Sequence, residues 1–372
     1  MVASLRDIME VMEEIAPASL AQDWDNIGLQ VGHQDWQVGK IWVALDASDE
    51  IVAEACRQGV SLLITHHPLI FYPLASVDLE TSTGKVIQAA LQKKLAIFCA
   101  HTNLDSAVGG VNDILAERIG LQDTTVLKPF SHTNLYKLVV FVPEGHEEKI
   151  LEALFESGAG IAEKYTHVSF RTKGTGTFRP GLTAKPFEGR VGEISHSSEY
   201  RIEVLVPKRD LSEVIKSLEK VHPYEEMAYD VYATSPEMPK AGLGRIGNLG
   251  KDLTLEALAQ RVKEALGLDA VKAAGDPRQN IRRVAVCSGS GKGLLEDFLA
   301  SDAQVYVSGD LGYHDGRRVE ALGRALIDIG HFASEHIVVE SLAAGLKNAL
   351  STRGYAVEVK ACAQEKDCFY YL

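Results

Sequence analysis

The sequence predicts an α/β protein whose parallel-sheet core is split and duplicated, interrupted by an inserted α+β domain of ferredoxin-like βαββαβ order. Three observations carry this reading. Short apolar strands alternate with helices of about ten residues from Ile41 to Ile119, the pattern of a parallel sheet built by right-handed crossovers. The rhythm changes near Phe130 and returns after Lys240. Polar clusters sit at strand ends in both outer segments. The chain of 372 residues, long enough for more than one domain, divides accordingly: residues 1–128 form the first half of the core, 129–238 the insert and 239–372 the second half.

Taken in order, Ser4 caps a first helix that reaches Ile15, with Asp7 in its first turn. Asp23–Leu29 reads as a polar-aromatic turn. Strand 41–45, helix 49–58, strand 60–65, helix 84–94, strand 95–100 and helix 110–119 follow. In the insert the order is strand 136–142, helix 146–157, strands 168–172 and 200–206, helix 211–221 and strand 228–232. Pro129 and Ser235–Pro239 flank it as hinges. The second half adds helix 253–266, strand 283–287, helix 291–299, strand 304–307, helix 313–322, strand 325–329, helix 334–350 and strand 356–360.

Hydrophobic content of 46% and charged content of 24% are those of an ordinary folded protein. A net charge of −13 disfavours nucleic acid or an anionic membrane as partner, since either needs a basic surface. No apolar run approaches the roughly 18 residues that span a bilayer. The N-terminal segment is amphipathic and acidic, unlike a signal peptide. Cys56, Cys99, Cys287, Cys362 and Cys368 form no Cys-x-x-Cys pair and no zinc-finger spacing, and read as reduced residues of a cytoplasmic protein.

The chemistry centres on Ser61–Pro68. Leu62-Leu63-Ile64 marks a strand buried on both faces, ended by His66, His67 and a proline that cannot continue a ladder. Side chains on a regular strand alternate faces, so two adjacent imidazoles serve one site only where the strand breaks. Taken alone, the pair reads as one core and one surface histidine. Other residues change that. In open parallel sheets ligands lie beyond the carboxyl ends of the strands, where His66-His67, Asp105, Ser308-Gly309-Asp310 and Gly330-His331 all fall. A helix starting near His331 puts His331 and Glu335 on one face as i,i+4 neighbours. Three histidines and two carboxylates exceed the needs of one tetrahedral ion and suit two divalent ions with a bridging carboxylate. Zinc leads, with manganese, iron or cobalt as alternatives.

Asp23–Leu29, Thr65–Pro68, His101–Asp105, Gly242–Gly247 and Gly330–Glu335 together resemble the Nif-three-like proteins, often named GTP cyclohydrolase 1 type 2 homologues. The resemblance implies that His66 and His67 each serve one metal, that Asp105 and His331 add to the shell, and that Glu335 bridges. It also implies a ring-shaped homohexamer with the sites facing an inner cavity. Longer members carry an insert like 130–235, including His222–Glu226, whose fold looks like small trimeric signalling proteins. Many members have Gly-Glu where this chain has Gly309-Asp310.

Two glycine-rich strings are set aside. Gly242-x-Gly244-x-x-Gly247 follows a proline-rich hinge instead of a strand and reads as turn glycines. Ser288–Gly293 fails as a P-loop but could present backbone N–H groups to an anion. His314 and Asp315 read as exposed residues of a helical first turn, His336 as packing, and His222–Glu226 as a capped helix end rather than an effector site. The expectation is a metal-dependent hydrolase acting on a nucleotide or related compound, GTP cyclohydrolase-like, with Glu335 and His101 as its catalytic residues and His101 moving protons. The alternative is a metal- or nucleotide-responsive regulatory or scaffold protein that binds a small-molecule effector without turnover.

Overall fold

The structure is a computed structural model and describes residues 2–129, 135–161, 165–234 and 241–370. The chain divides into two compact units, Met1–Phe130 with Pro239–Leu372, and Ser131–Met238. The hinge expected at Ser235–Pro239 lies outside the described residues.

The larger unit holds two mixed sheets. The five-stranded one runs Glu358–Ala361, Lys40–Ala44, Leu62–Thr65, Ala96–Cys99, Gly28–Val31, with all pairs parallel except the last. Its three central strands are buried on both sides, and their residues alternate between two cores. Ile41, Val43, Leu62 and Ile64 pack with Leu5, Ile8 and Met12 of the first helix and Leu342 and Leu346 of the last. Trp42, Ala44 and Leu63 face Val52, Ala55, Val86 and Ala90 on helices Asp49–Arg57 and Ser82–Lys93. Capping fixes where these helices start. Ser4 and Asp7 form a reciprocal capping box, and the Ser48 and Thr81 hydroxyls accept the N–H groups of Ile51 and Gly84.

The six-stranded sheet runs Lys272–Ala274, Ala325–Asp328, Val305–Gly309, Asn280–Ser290, Gly242–Thr254, Leu121–Pro129. Its three strands Ala325–Asp328, Val305–Gly309 and Asn280–Ser290 are parallel, and the remaining pairs are antiparallel. Parallel pairing therefore holds at the centre of each sheet; antiparallel strands close both edges of the six-stranded sheet and one edge of the five-stranded sheet. Val284, Val305 and Ile327 pack on one side with Leu258 and Val262. Ala285, Tyr306 and Leu326 pack on the other with Phe298 and Val319.

Several elements differ from expectation. Gly242–Thr254 is a strand of 13 residues, not a glycine turn. Its glycines hid it, because glycine is depleted in strands yet serves where backbones approach closely. At Gly244, φ is +65° and a Cβ would lie 2.9 Å from the Val286 carbonyl oxygen. Leu121–Pro129, pairing with it, and Gly28–Val31, which forms the antiparallel edge, were both unanticipated strands. The long helix near the C-terminus is two, His331–Glu335 and Ile337–Thr352, divided at His336. Gly291–Leu299 opens as a tight turn of 3-10 helix, Gly291–Leu294, before helix Leu295–Ala300.

The smaller unit is one antiparallel sheet of Leu135–Pro143, Ser169–Phe178, Ser195–Pro207 and Tyr229–Ala233, ordered fourth, first, third, second. Leu138, Val140, Ile202 and Val204 on one face pack against Ile150 and Leu154 of helix Glu147–Glu156 and Val214 and Leu218 of helix Leu211–Val221. No helix among the described residues is long and apolar enough to cross a membrane.

One buried charge ties the second sheet to the first half of the chain. Arg245 is 2% exposed. Its guanidinium donates to Asp113 through Nε and, at 2.9 Å, Nη2. It also donates to the carbonyls of Gly242 at 2.7 Å, Gly244 at 2.9 Å and Ala107 at 3.1 Å. Arg245→Ala strands a carboxylate and three carbonyls, and is expected to lower unfolding stability by about 3 kcal/mol in chemical denaturation. A loss under about 1 kcal/mol, the size of an ordinary substitution, contradicts this role.

Candidate metal centre

The strand Leu62–Thr65 delivers two histidines, and its neighbours hold them. The His66 and His67 N–H groups donate to the Ala44 and Leu45 carbonyls at 3.2 and 2.9 Å, so backbone pairing continues past Thr65. The two rings diverge, with centroids 5.3 Å apart and planes at 44°. His66 is 1% exposed, and its Nδ1 lies 2.9 Å from the Ala100 carbonyl oxygen. Nδ1 must therefore carry a proton and donate, so in the neutral imidazole the electron pair lies on Nε2. That Nε2 is buried with no hydrogen-bond partner, 3.7 Å from Asp105 Oδ1 and 3.6 Å from Glu335 Oε1.

Three further imidazoles repeat the arrangement with carboxylate acceptors. His67 Nδ1 meets Asp46 Oδ1 at 2.9 Å, His331 Nδ1 meets Asp310 Oδ2 at 2.8 Å, and His101 Nδ1 meets Asp25 Oδ1 at 2.9 Å. Anchoring one ring nitrogen fixes the orientation and basicity of the other, as in carboxylate–histidine–metal triads. Helix His331–Glu335 places His331 Nε2 3.0 Å from Glu335 Oε2, as the i,i+4 spacing requires. His67 Nε2 is 2.9 Å from the same oxygen and 3.3 Å from His331 Nε2.

Three groups here could hold a metal ion: His66 with Asp105 and Glu335, His67 with His331 and Glu335, and His66 with His67 and His101. Within each, the ligand atoms lie within 4.8 Å of one another. Glu335 joins the first two groups, with Oε1 toward His66 and Oε2 toward His67 and His331. Every residue expected at the site is therefore brought together, from both halves of the chain.

Glycine makes room for this carboxylate. Gly289 has φ +60°, and a Cβ there would lie 2.0 Å from Glu335 Oε1. Its N–H donates to the Ser334 hydroxyl at 2.8 Å. Ser288 donates its N–H to Asn112 Oδ1 and its hydroxyl to Asp105 Oδ1, both at 2.9 Å. The string that could have presented N–H groups to an anion spends those of Ser288 and Gly289 on the protein, while the Ser288 hydroxyl holds Asp105.

Sequence reasoning missed Asp25, Asp46, Ser288 and Gly289, and left Asp310 undecided. Asp310 directly follows a strand and Asp46 lies two residues past one, and the rule that placed the histidines there points to them as well. His314 is exposed, but Asp315 is buried and accepts the Gly312 N–H at 2.8 Å, capping its helix. An acidic residue at the third position of a helix is the available signal for such a cap. His336 stacks on Phe332 at 4.7 Å. His222 ends its helix with Nε2 donating to the Phe141 carbonyl at 3.0 Å.

The charges are tightly balanced. Burial alone would push the Glu335 carboxyl up, but His66, His67 and His331 around it hold it well below the usual range. Burial raises Asp105. Burial works against a charged His67, yet hydrogen bonds to Asp46 and Glu335 lift it to about 10. Its hydrogen bond to Glu335, against burial, lifts His331 to about 9. Both values exceed the ordinary 6.5, so in chelator-treated protein their stabilisation is complete below pH 6.5 and is lost as pH rises through 9 to 10. Thermal unfolding across pH 6 to 10 is expected to show this decline, and stability rising over that range contradicts the assignment.

Comparison with known proteins finds relatives along the whole chain. A Halalkalibacterium halodurans protein named GTP cyclohydrolase 1 type 2 homolog is 37% identical over 371 residues, spanning 100% of both chains. A solved Bacillus cereus protein related to NIF3 is 36% identical, covers 100% of both chains and superposes with a TM-score of 0.71. A solved Staphylococcus aureus protein is 28% identical, covers 100% of this chain and 99% of its own, and gives a TM-score of 0.75. Residues 3–368 match the family described as Duf34/NIF3 (NGG1p interacting factor 3), and the chain belongs to that family.

Proposed function

We propose that this protein is a metal-dependent hydrolase acting on a nucleotide or related compound, with two divalent ions held by His66, His67, Asp105, His331 and Glu335. The observation that carries the proposal is the Glu335 carboxylate, which faces a different set of ligand atoms with each oxygen. The donor set fits divalent cations. His66 Nε2 is buried with no hydrogen-bond partner, and four imidazoles have their other nitrogen committed to an acceptor. Mixed nitrogen and oxygen donors suit zinc first and manganese, iron or cobalt next. When bound, such ions supply Lewis acidity and bring the pKa of coordinated water toward neutrality.

The chain's own groups supply the rest. His101 is half-buried, and Asp25 holds its Nδ1–H, so its Nε2 is the atom that takes or returns a proton beside the cluster. Thr102 steadies Asp25 through its N–H at 3.0 Å and its hydroxyl. The exposed Trp24 ring stands 6.0 Å from the His101 ring and 5.8 Å from Phe71, an aromatic surface on which a planar base can stack. A cleft of about 510 Å³ opens on the outer side of His67, with Ser48, Phe332 and Lys366 in its walls. The relatives' name, GTP cyclohydrolase 1 type 2 homolog, makes a guanine nucleotide the first compound to test.

The same proposal covers the architecture. The two sheets, each with parallel strands at its centre and helices on both faces, are read as halves of one duplicated core, residues 1–128 and 239–372. The insert, 129–238, is read as ferredoxin-like on the strength of its fourth-first-third-second strand order. The assembly is proposed to be a homohexamer in the cytoplasm.

Elemental analysis and a nucleotide and phosphoester screen on one purified sample test this directly. The expected result is two divalent ions per chain with turnover of at least one compound. Glu335→Gln is expected to lower metal content and abolish turnover together, whereas full turnover by the metal-depleted variant removes the proposal. His101→Gln is expected to keep its metal and lose about 100-fold or more in turnover, the size of a proton-transfer contribution. An unchanged rate takes His101 out of the chemistry.

A further inference from the structure

The smaller unit carries a cavity of its own, of about 600 Å³, lying between strand Ser169–Phe178, the segment that follows it and Tyr224–Ala228. That is the size of a small-molecule site. Its walls combine two features. Phe178 and Phe187 flank Tyr224, with ring centroids 6.4 and 5.9 Å away. Four glutamates, Glu188, Glu199, Glu225 and Glu226, line the same space against one arginine, Arg179. Glu225 accepts the Lys185 backbone N–H at 3.0 Å, but among the described residues no lysine, arginine or histidine side chain forms an ion pair with any of the four carboxylates.

Glu199 is the informative one. It is 8% exposed, and its carboxylate lies across Gly176, where a Cβ would come within 2.3 Å of Oε2. The Tyr224 hydroxyl donates to Glu199 Oε1 at 2.8 Å, and the Ser197 hydroxyl donates to Glu188 Oε2 at 2.7 Å. The two hydroxyl oxygens are themselves 3.1 Å apart, and both of their protons are already used. Glu188, Glu225 and Glu226 are exposed, but Glu199 is a buried carboxylate with one hydroxyl donor and no cationic side chain paired to it, a costly state that a donor-rich cation relieves. Burial and Glu199 push the Tyr224 phenol up to about 12, so it stays neutral and keeps an uncharged ring face toward the cavity.

We propose that this cavity binds a small organic ammonium compound, with its cationic nitrogen against Glu199 and its apolar portion against Phe178, Phe187 and Tyr224. Aromatic faces beside carboxylates are the arrangement that recognises such cations. A bare divalent ion fits less well, since no three of these carboxylates bring oxygens within 4.8 Å of one another among the described residues. An anionic nucleotide meets four like charges. The proposal does not rest on the hydrolase reading.

Calorimetric titration of the full-length protein tests it, with phenethylamine, tetramethylammonium and putrescine as cations. Phenethyl alcohol and 3-phenylpropionate serve as neutral and anionic counterparts, and magnesium as the bare ion. Saturable one-to-one binding of at least one ammonium probe is expected, with the alcohol about tenfold weaker or worse, as loss of a charged hydrogen bond dictates. Glu199→Gln should weaken the amine by a similar factor. Phe187→Ala, at an exposed ring that does not threaten folding, should weaken it as well, and Glu335→Gln should leave it unchanged. No saturable binding by any of the three cations overturns the proposal. So does amine affinity that survives both cavity variants, tighter binding of the carboxylate, or magnesium displacing the amine.

Discussion

A carboxylate at Glu335, 3% exposed, sits among three imidazoles contributed by distant parts of the chain. Taking a carboxylate out of water costs several kcal/mol, so the fold cannot leave Glu335 alone. Positive charge must be supplied to it, by protons on the surrounding imidazoles or by bound cations. Much of the surrounding structure can be understood as meeting that demand. His66 comes from the end of a central strand, His331 from the helix that carries Glu335, and Asp105 from the short helix Thr102–Ser106.

The supporting parts are equally specific. Gly289 leaves the space that Glu335 Oε1 occupies, Ser288 clamps Asp105, and Asp25, Asp46 and Asp310 turn three imidazoles so that their Nε2 atoms face inward. Metal uptake at the proposed site would therefore release protons, because each cation would displace protons that balance Glu335. The metal-free protein is stabilised by the same histidines that would bind the ions, only in their charged form.

How much of this could be read in advance depended on whether the signal was local. The central strands were legible because Leu62-Leu63-Ile64 and its counterparts are continuous apolar runs, which only strands buried on both faces need. The His331–Glu335 pair was legible because helical spacing fixes it. Strands Gly242–Thr254 and Leu121–Pro129 were not, since glycine and half-exposed polar residues disguise them and their pairing is a long-range event. Gly289 was misjudged for the same reason. Its role is to be absent at a point where another segment arrives, and nothing in Ser288–Gly293 reveals which segment that is. Asp46 and Asp310 were within reach of the strand-end rule, but a lone aspartate after a strand is too common to single out.

The insert folds around its own core and carries its own acidic, aromatic cavity. The metal cluster bears the weight of the account, and its central claim is that Glu335 bridges two ions. Electron paramagnetic resonance of manganese-loaded protein tests this most directly. Two ions sharing one carboxylate give an exchange-coupled spectrum at two equivalents per chain, which is the predicted result. A six-line spectrum of isolated ions, saturating at one equivalent, would contradict it.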